Sequence, residues 1–191
     1  MRSRLRYTAL LLATLATGCG YNGLVEKDQG TAQAWAEVEN QLQRRTDLVP
    51  NLVETVKGYA GHESKIFAEI AQARSAMLAS GNGPTPARMA AANQFEQTIG
   101  KLISISEAYP TLKADANFAR LMDELAGTEN RLAVARKRYN DAVGDYNIAV
   151  RSFPTVMTAR MFGFAPNKDY FKAPEAAKTP PQVHFNSSTG Q

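Results

Sequence analysis

Few residues in this chain have a type and spacing that could do chemistry. His62 and His184 are its only histidines, too few for a histidine-built metal site, and no serine or threonine stands where spacing would pair it with either. His62-Glu63 begins like a zinc-binding HExxH helix, but position 66 is Ile, so the second imidazole is missing. The glycines of Ser80-Gly81-Asn82-Gly83-Pro84 lack the Lys-Ser/Thr that a phosphate loop requires, and they read as turn formers. Glu63 or Glu129 could serve a hydrolase only if a second carboxylate faced it across a cleft. No cofactor or metal is expected. The single thiol, Cys19, cannot form an intramolecular disulfide, so its use must come from where it sits.

Cys19 closes a leader. Arg2, Arg4 and Arg6 precede Tyr7–Ala16, an apolar run of ten residues, and Thr17 and Gly18 are small. That is the three-part pattern of an export signal, and it is too short for a membrane span, which needs about 20 apolar residues. Leu15-Ala16-Thr17-Gly18-Cys19 resembles a bacterial lipoprotein box, with Ala16 where Leu is preferred. The resemblance implies that the Cys19 thiol is acylated and becomes the first mature residue, which would hold the protein on a bilayer. Gly20 in place of Asp after the cysteine favours the outer membrane in a cell that has one.

The chain has 191 residues and a formal charge of +4. Taking Arg2, Arg4 and Arg6 from 22 basic residues against 18 acidic ones leaves +1, so no basic face remains for nucleic acid. The expected organisation is a signal peptide at 1–18, an anchor and linker at 19–22, one bundle at 23–154, a packed extension at 155–172 and a Pro-rich flexible tail at 173–191. Thr158–Phe164 is apolar enough to pack on the bundle end or to touch the membrane, and packing is the favoured reading.

Helices must position everything else. From Trp35 apolar residues recur every three or four positions through Val38, Leu42, Val49, Leu52, Val56, Tyr59, Ile66, Ile70, Ala73 and Met77, with Arg45 and Glu63 as charged interruptions. The phase survives Pro50, which reads either as a kink in one long helix or as the first turn of a second helix capped by Asp47. A second helix is predicted over 86–108, with Phe95, Ile99, Leu102, Ile105 and Tyr109 on its stripe. A third runs from 114–115 to about Phe153, with Phe118, Leu121, Leu125, Leu132, Tyr139, Val143, Tyr146, Val150 and Phe153 on its stripe. Long helices with short turns and no period-two alternation predict an all-α antiparallel four-helix bundle.

Three features lie on that frame. Within Arg44-Arg45-Thr46-Asp47, Arg45 falls on the core stripe and needs a partner, for which Glu129 is placed. Tyr139-Asn140 and Tyr146-Asn147 repeat at seven residues, which puts both tyrosines on one face; core packing explains this, and a groove lined by Tyr59, Tyr139 and Tyr146 is the alternative. Arg131, Arg136, Lys137 and Arg138 alternate with Glu129, Asp141 and Asp145, the pattern of a solvated face.

Several motifs in order resemble the LemA family of bacterial membrane-associated proteins across nearly all of residues 21–171. They are YNGLVEKDQGTAQAWAEVE at 21–39, QLQRRTDLVPNLVETVKGYAGHE at 41–63, YPTLKADAN at 109–117 and GTENRLAVARKRYNDAVGDYN at 127–147, with Ser152–Pro154 and Phe162–Phe164. The resemblance implies a four-helix bundle on the extracytoplasmic side, and two segments at Pro50. It carries no established catalytic residues. Many members hold a transmembrane N-terminal helix where this chain has a lipoprotein-type leader. The function expected is a non-enzymatic envelope scaffold, tethered to the membrane and meeting an unidentified envelope protein. The alternative is a module that holds a peptide, lipid or cell-wall fragment in an inter-helix groove.

Overall fold

Stripes with three-four spacing close into helices, and no strand forms among the described residues. The computed structural model describes the backbone of residues 2–165 and 168–172, with side chains from residue 20 onward. The side chains of the leader, Cys19 included, and the tail at 173–191 lie outside the described residues. The helices are α1 (Arg2–Lys57), α2 (Ser64–Ala79), α3 (Pro86–Ser106), α4 (Pro110–Lys113), α5 (Ala116–Arg151) and α6 (Thr155–Phe162). Their ends are marked in the sequence. The Thr85 side chain accepts from the Arg88 N–H, with Pro86 opening α3, and Asp115 accepts from Phe118 at the start of α5. Gly163, at φ 77°, closes α6 in the left-handed conformation that glycine adopts without strain.

Side-chain pairings set the directions. Leu24 clusters with Tyr146 and Val150, Trp35 meets Tyr139 at 5.1 Å, and Tyr59 reaches Asp115. So α1 and α5 run antiparallel along one long seam. Glu69 pairs with Lys101 and the Met77 carbonyl with Arg88, which makes α2 and α3 antiparallel as well. Three apolar clusters lie in series. Leu24, Tyr146, Val150 and Ala159 fill one end, Trp35, Leu42, Leu132 and Tyr139 the middle, and Val56, Ile70, Phe95 and Phe118 the other end.

Of the two readings left open at Pro50, the single long helix is the one observed, against the two segments that the resemblance implied. The helix does not end before Pro50, and Asp47 is not a cap: it lies inside α1, where its carboxylate accepts from Gln43 at 2.9 Å. The break comes at residues 58–63, beyond Lys57, so the stripe from Trp35 to Met77 spans two helices. Residues 19–22, expected as a linker, are helical and continuous with α1. Phe153, placed on the third stripe, is 84% exposed because α5 stops two residues earlier.

A proline inside a helix leaves the carbonyl four residues back without its N–H partner. For Pro50 that carbonyl belongs to Thr46, a buried residue, and Arg74 of α2 donates its Nε to it at 3.3 Å. A neighbouring helix thus supplies the missing donor, and α1 continues. Arg74→Ala is expected to destabilise the protein by about 1–2 kcal/mol through the orphaned carbonyl. In a Pro50→Ala background, where a backbone N–H is restored, about half of that cost should vanish. A urea-denaturation double-mutant cycle measures the coupling, and strictly additive effects would refute the account.

Candidate functional site

Between the middle and far apolar clusters lies a layer of polar side chains. Arg45, 4% exposed, sends Nη1 to Glu129 of α5 and Nη2 to Glu96 of α3 at 3.0 Å. Beside it the hydroxyls of Thr46 and Thr128 donate to the carbonyls of Leu42 and Leu125 in their own helices, so neither is left unpaired. Arg136 adds a second guanidinium. It is not on a solvated face as its neighbours suggested: Glu96 and Glu129 lie near it, and its guanidinium stacks 4.3 Å over the Phe171 ring. With Arg74 on the Thr46 carbonyl, all four long helices meet this layer.

Burial pushes the Glu96 carboxyl up to about 7, against the pull of Arg45, and a hydrogen bond with Glu129 adds to the rise. Glu129 moves the other way. Burial works against its charge, but the bonds from Glu96 and Arg45 outweigh it and hold the group below the usual glutamate range. The two carboxylates therefore share one proton into the neutral range. Two facing carboxylates are what a hydrolase would need, but these are spanned by Arg45, and Glu96 is only 14% exposed. The larger surface depressions lie elsewhere. One of about 470 Å³ between α1 and α5 is walled by Glu26, Lys27, Gln33 and Asp145. Glu63 sits apart, accepting from the Tyr109 hydroxyl. Among the described residues no group of three or more His, Cys, Asp and Glu is placed to hold a metal.

The three tyrosines do not line one groove. Tyr59 is 41% exposed past the end of α1, bonded to Asp115, whereas Tyr139 lies 24 residues further along α5, about 36 Å at the helical rise. Tyr139 and Tyr146 are buried in separate clusters. The reason is the antiparallel register, which sets the end of α1 beside the start of α5 and Tyr139 beside Trp35.

The Tyr-Asn repeat has a role that its periodicity did not reveal. Residues 168–172 cross the bundle as an extended strap. Asn140 binds Phe171 both ways, Nδ2 to the carbonyl at 3.0 Å and Oδ1 from the N–H at 2.7 Å. Asn147 does the same with Lys168, and the Tyr139 hydroxyl donates to the Asp169 carbonyl. The Phe171 ring lies between Trp35 and Arg136. Lys168 runs over the Tyr146 ring to Asp28 at 2.7 Å. A further buried cation, Arg88, grips Glu39 with two nitrogens and donates to the Met77 carbonyl at the end of α2. It was invisible to a single-helix reading because both partners lie on other helices.

An all-helical bundle with a charged interior layer is the class that the described residues define. The chain matches the profile of the LemA family over residues 34–185, and it belongs to that family. It is similar to magnetosome protein MamQ 2 of Paramagnetospirillum magneticum (strain AMB-1), 27% identical over 184 residues, covering 84% of this chain and 67% of that protein. It is also similar to magnetosome protein MamQ of Magnetospirillum gryphiswaldense (strain MSR-1), 26% identical over 190 residues, covering 85% and 70%.

Two outcomes are expected. Because the folded-state pKa of Glu96 is raised, the native protein binds more protons than the unfolded chain between about pH 4.5 and 7, so stability should fall as pH rises through that window. Arg45, Glu129 and Arg136 are the charged groups that face Glu96. Urea midpoints between pH 5 and 8 should slope downward in the native chain and be nearly flat in Glu96→Gln; equal slopes would exclude Glu96. Phe171→Ala should cost about 3 kcal/mol or more for a buried ring and release the strap. Trypsin cleavage after Lys168 should then quicken, and unchanged cleavage would mean that the ring is not what holds it.

Proposed function

We propose that this LemA-family chain is a lipid-tethered, non-enzymatic scaffold of the bacterial envelope. In this reading Cys19 carries the acyl anchor, and the bundle stands on the extracytoplasmic side to meet other envelope proteins. The observation that carries the reading is the packing just after Cys19. Gly20 and Tyr21 lie under α6, where a Cβ on Gly20 would come within 3.2 Å of the Thr158 hydroxyl and Tyr21 meets Phe162 at 4.8 Å. An anchor at Cys19 would therefore hold one end of the bundle to a bilayer. The far end of α1 at Lys57, 38 residues on, lies about 57 Å from Cys19 along the helix. Among the described residues no helix is long and apolar enough to cross a membrane. The relatives are named for the magnetosome and not for a reaction, which fits a protein that works by position.

Cells expressing the native chain or Cys19→Ala are fed an alkyne palmitate analogue, fractionated and crosslinked. The native chain should take the label, pellet with membranes and give reproducible crosslinks to an envelope protein; Cys19→Ala should lose all three. Label retained in Cys19→Ala would overturn the anchor. Self-crosslinks alone would overturn the scaffold and favour the ligand-binding alternative.

A further inference from the structure

The end of the bundle that meets Gly20 has an unusual surface. α6 buries one side, with Thr158 and Ala159 turned to α1 and α5, and leaves the other in solvent. On that outer side Met157 is 62% exposed and Met161, one turn on, 71% exposed. Phe153 just before the helix adds an exposed ring at 84%, whereas Phe162 at its end turns inward to Tyr21. Scattered apolar residues on a surface are ordinary, but large apolar side chains gathered at one end of a bundle mark a contact.

Two observations say what makes the contact. The first is position: α6 packs on residues 20 and 21, so its outer side lies beside the point where the leader leaves the bundle. The second is charge. From residue 146 to 168 the chain has no acidic side chain, while Arg151 and Arg160 are basic and Arg160 is exposed on α6 itself. Exposed methionine and phenylalanine with basic neighbours on a short amphipathic helix are the composition that settles into the headgroup layer of an anionic bilayer. A protein partner would be expected to offer some charge complementarity to its flanks; a lipid surface needs only the apolar side chains and the positive rim.

We propose that the outer side of α6, formed by Met157 and Met161 with Phe153 just before it, is a bilayer-contact surface that lies in the headgroup region of an anionic leaflet. This rests on the tethered reading above, and it adds that the bundle sits on the membrane by a second, non-covalent contact that fixes its orientation. An acyl chain alone would leave the bundle to swivel.

The full chain carrying Met161→Cys, or Val134→Cys at an exposed position in the middle of α5, is spin-labelled and bound to phosphatidylethanolamine–phosphatidylglycerol vesicles. Each is made in the native and the Cys19→Ala background, and intact mass reports acylation. The label at 161 should lie about 5–10 Å below the phosphate level, as interfacial helices do. The label at 134 should remain in water. A label at 161 as accessible to a water-soluble nickel chelate as the one at 134, or protein that fails to float with the vesicles, overturns the proposal. Acylated protein with an aqueous label at 161 leaves the anchor standing and removes the α6 contact; an immersed label on unacylated protein does the reverse. Phe153→Ser with Met157→Ser should reduce the immersion at 161 without changing the circular dichroism of the bundle, and an unchanged depth would likewise count against the surface.

Discussion

A guanidinium buried among four helices constrains this fold more than any apolar contact. Arg45 lies 4% exposed between two hydrophobic clusters, and each of its charge-bearing ends needs a carboxylate. Sliding α1 by one turn against α5 would carry it into apolar side chains, and an uncompensated buried charge costs several kcal/mol. Apolar stripes tolerate such a slide far better, since one leucine replaces another. Glu96, Glu129 and Arg136 thus act as a register mark, with Arg88 and Glu39 repeating the device nearer the middle cluster. The net gain in stability from such ions is small; their effect is to make the alternatives worse.

How much of this was legible follows from what one helix can report about itself. The core stripes were readable because three-four spacing is a property of each helix alone, and Trp35, Leu42, Phe95, Leu132 and Tyr139 all lie in the interior. Arg45 was legible as a charge out of place. Glu96 and Arg136 were not, because each looks like an ordinary polar position until a second helix is laid against it. Pro50 left two readings open for the same reason: the donor that replaces its missing N–H comes from Arg74, 24 residues later and on another helix.

The strap shows a different limit. The seven-residue repeat of Tyr-Asn was visible, and burial of the tyrosines followed from it. The asparagines appeared incidental, yet Asn140 and Asn147 each bind one residue of the strap through both its N–H and its carbonyl. Such bonds read backbone and not side chain, so nothing in the composition of residues 168–170 announces that they will be held. Only Phe171 carries a side-chain signal, and it sits in a stretch whose prolines and polar residues suggest an extended chain.

The continuous course of α1 has a mechanical consequence. A pull between residue 20 on α1 and Ala116, at the start of α5 and the opposite end of the bundle, would run parallel to the α1–α5 seam. The load would fall on the three clusters and the ionic layer together, in shear, where a crosswise pull would open them one after another like a zip. A bundle built this way behaves as a strut, stiffer along its axis than across it.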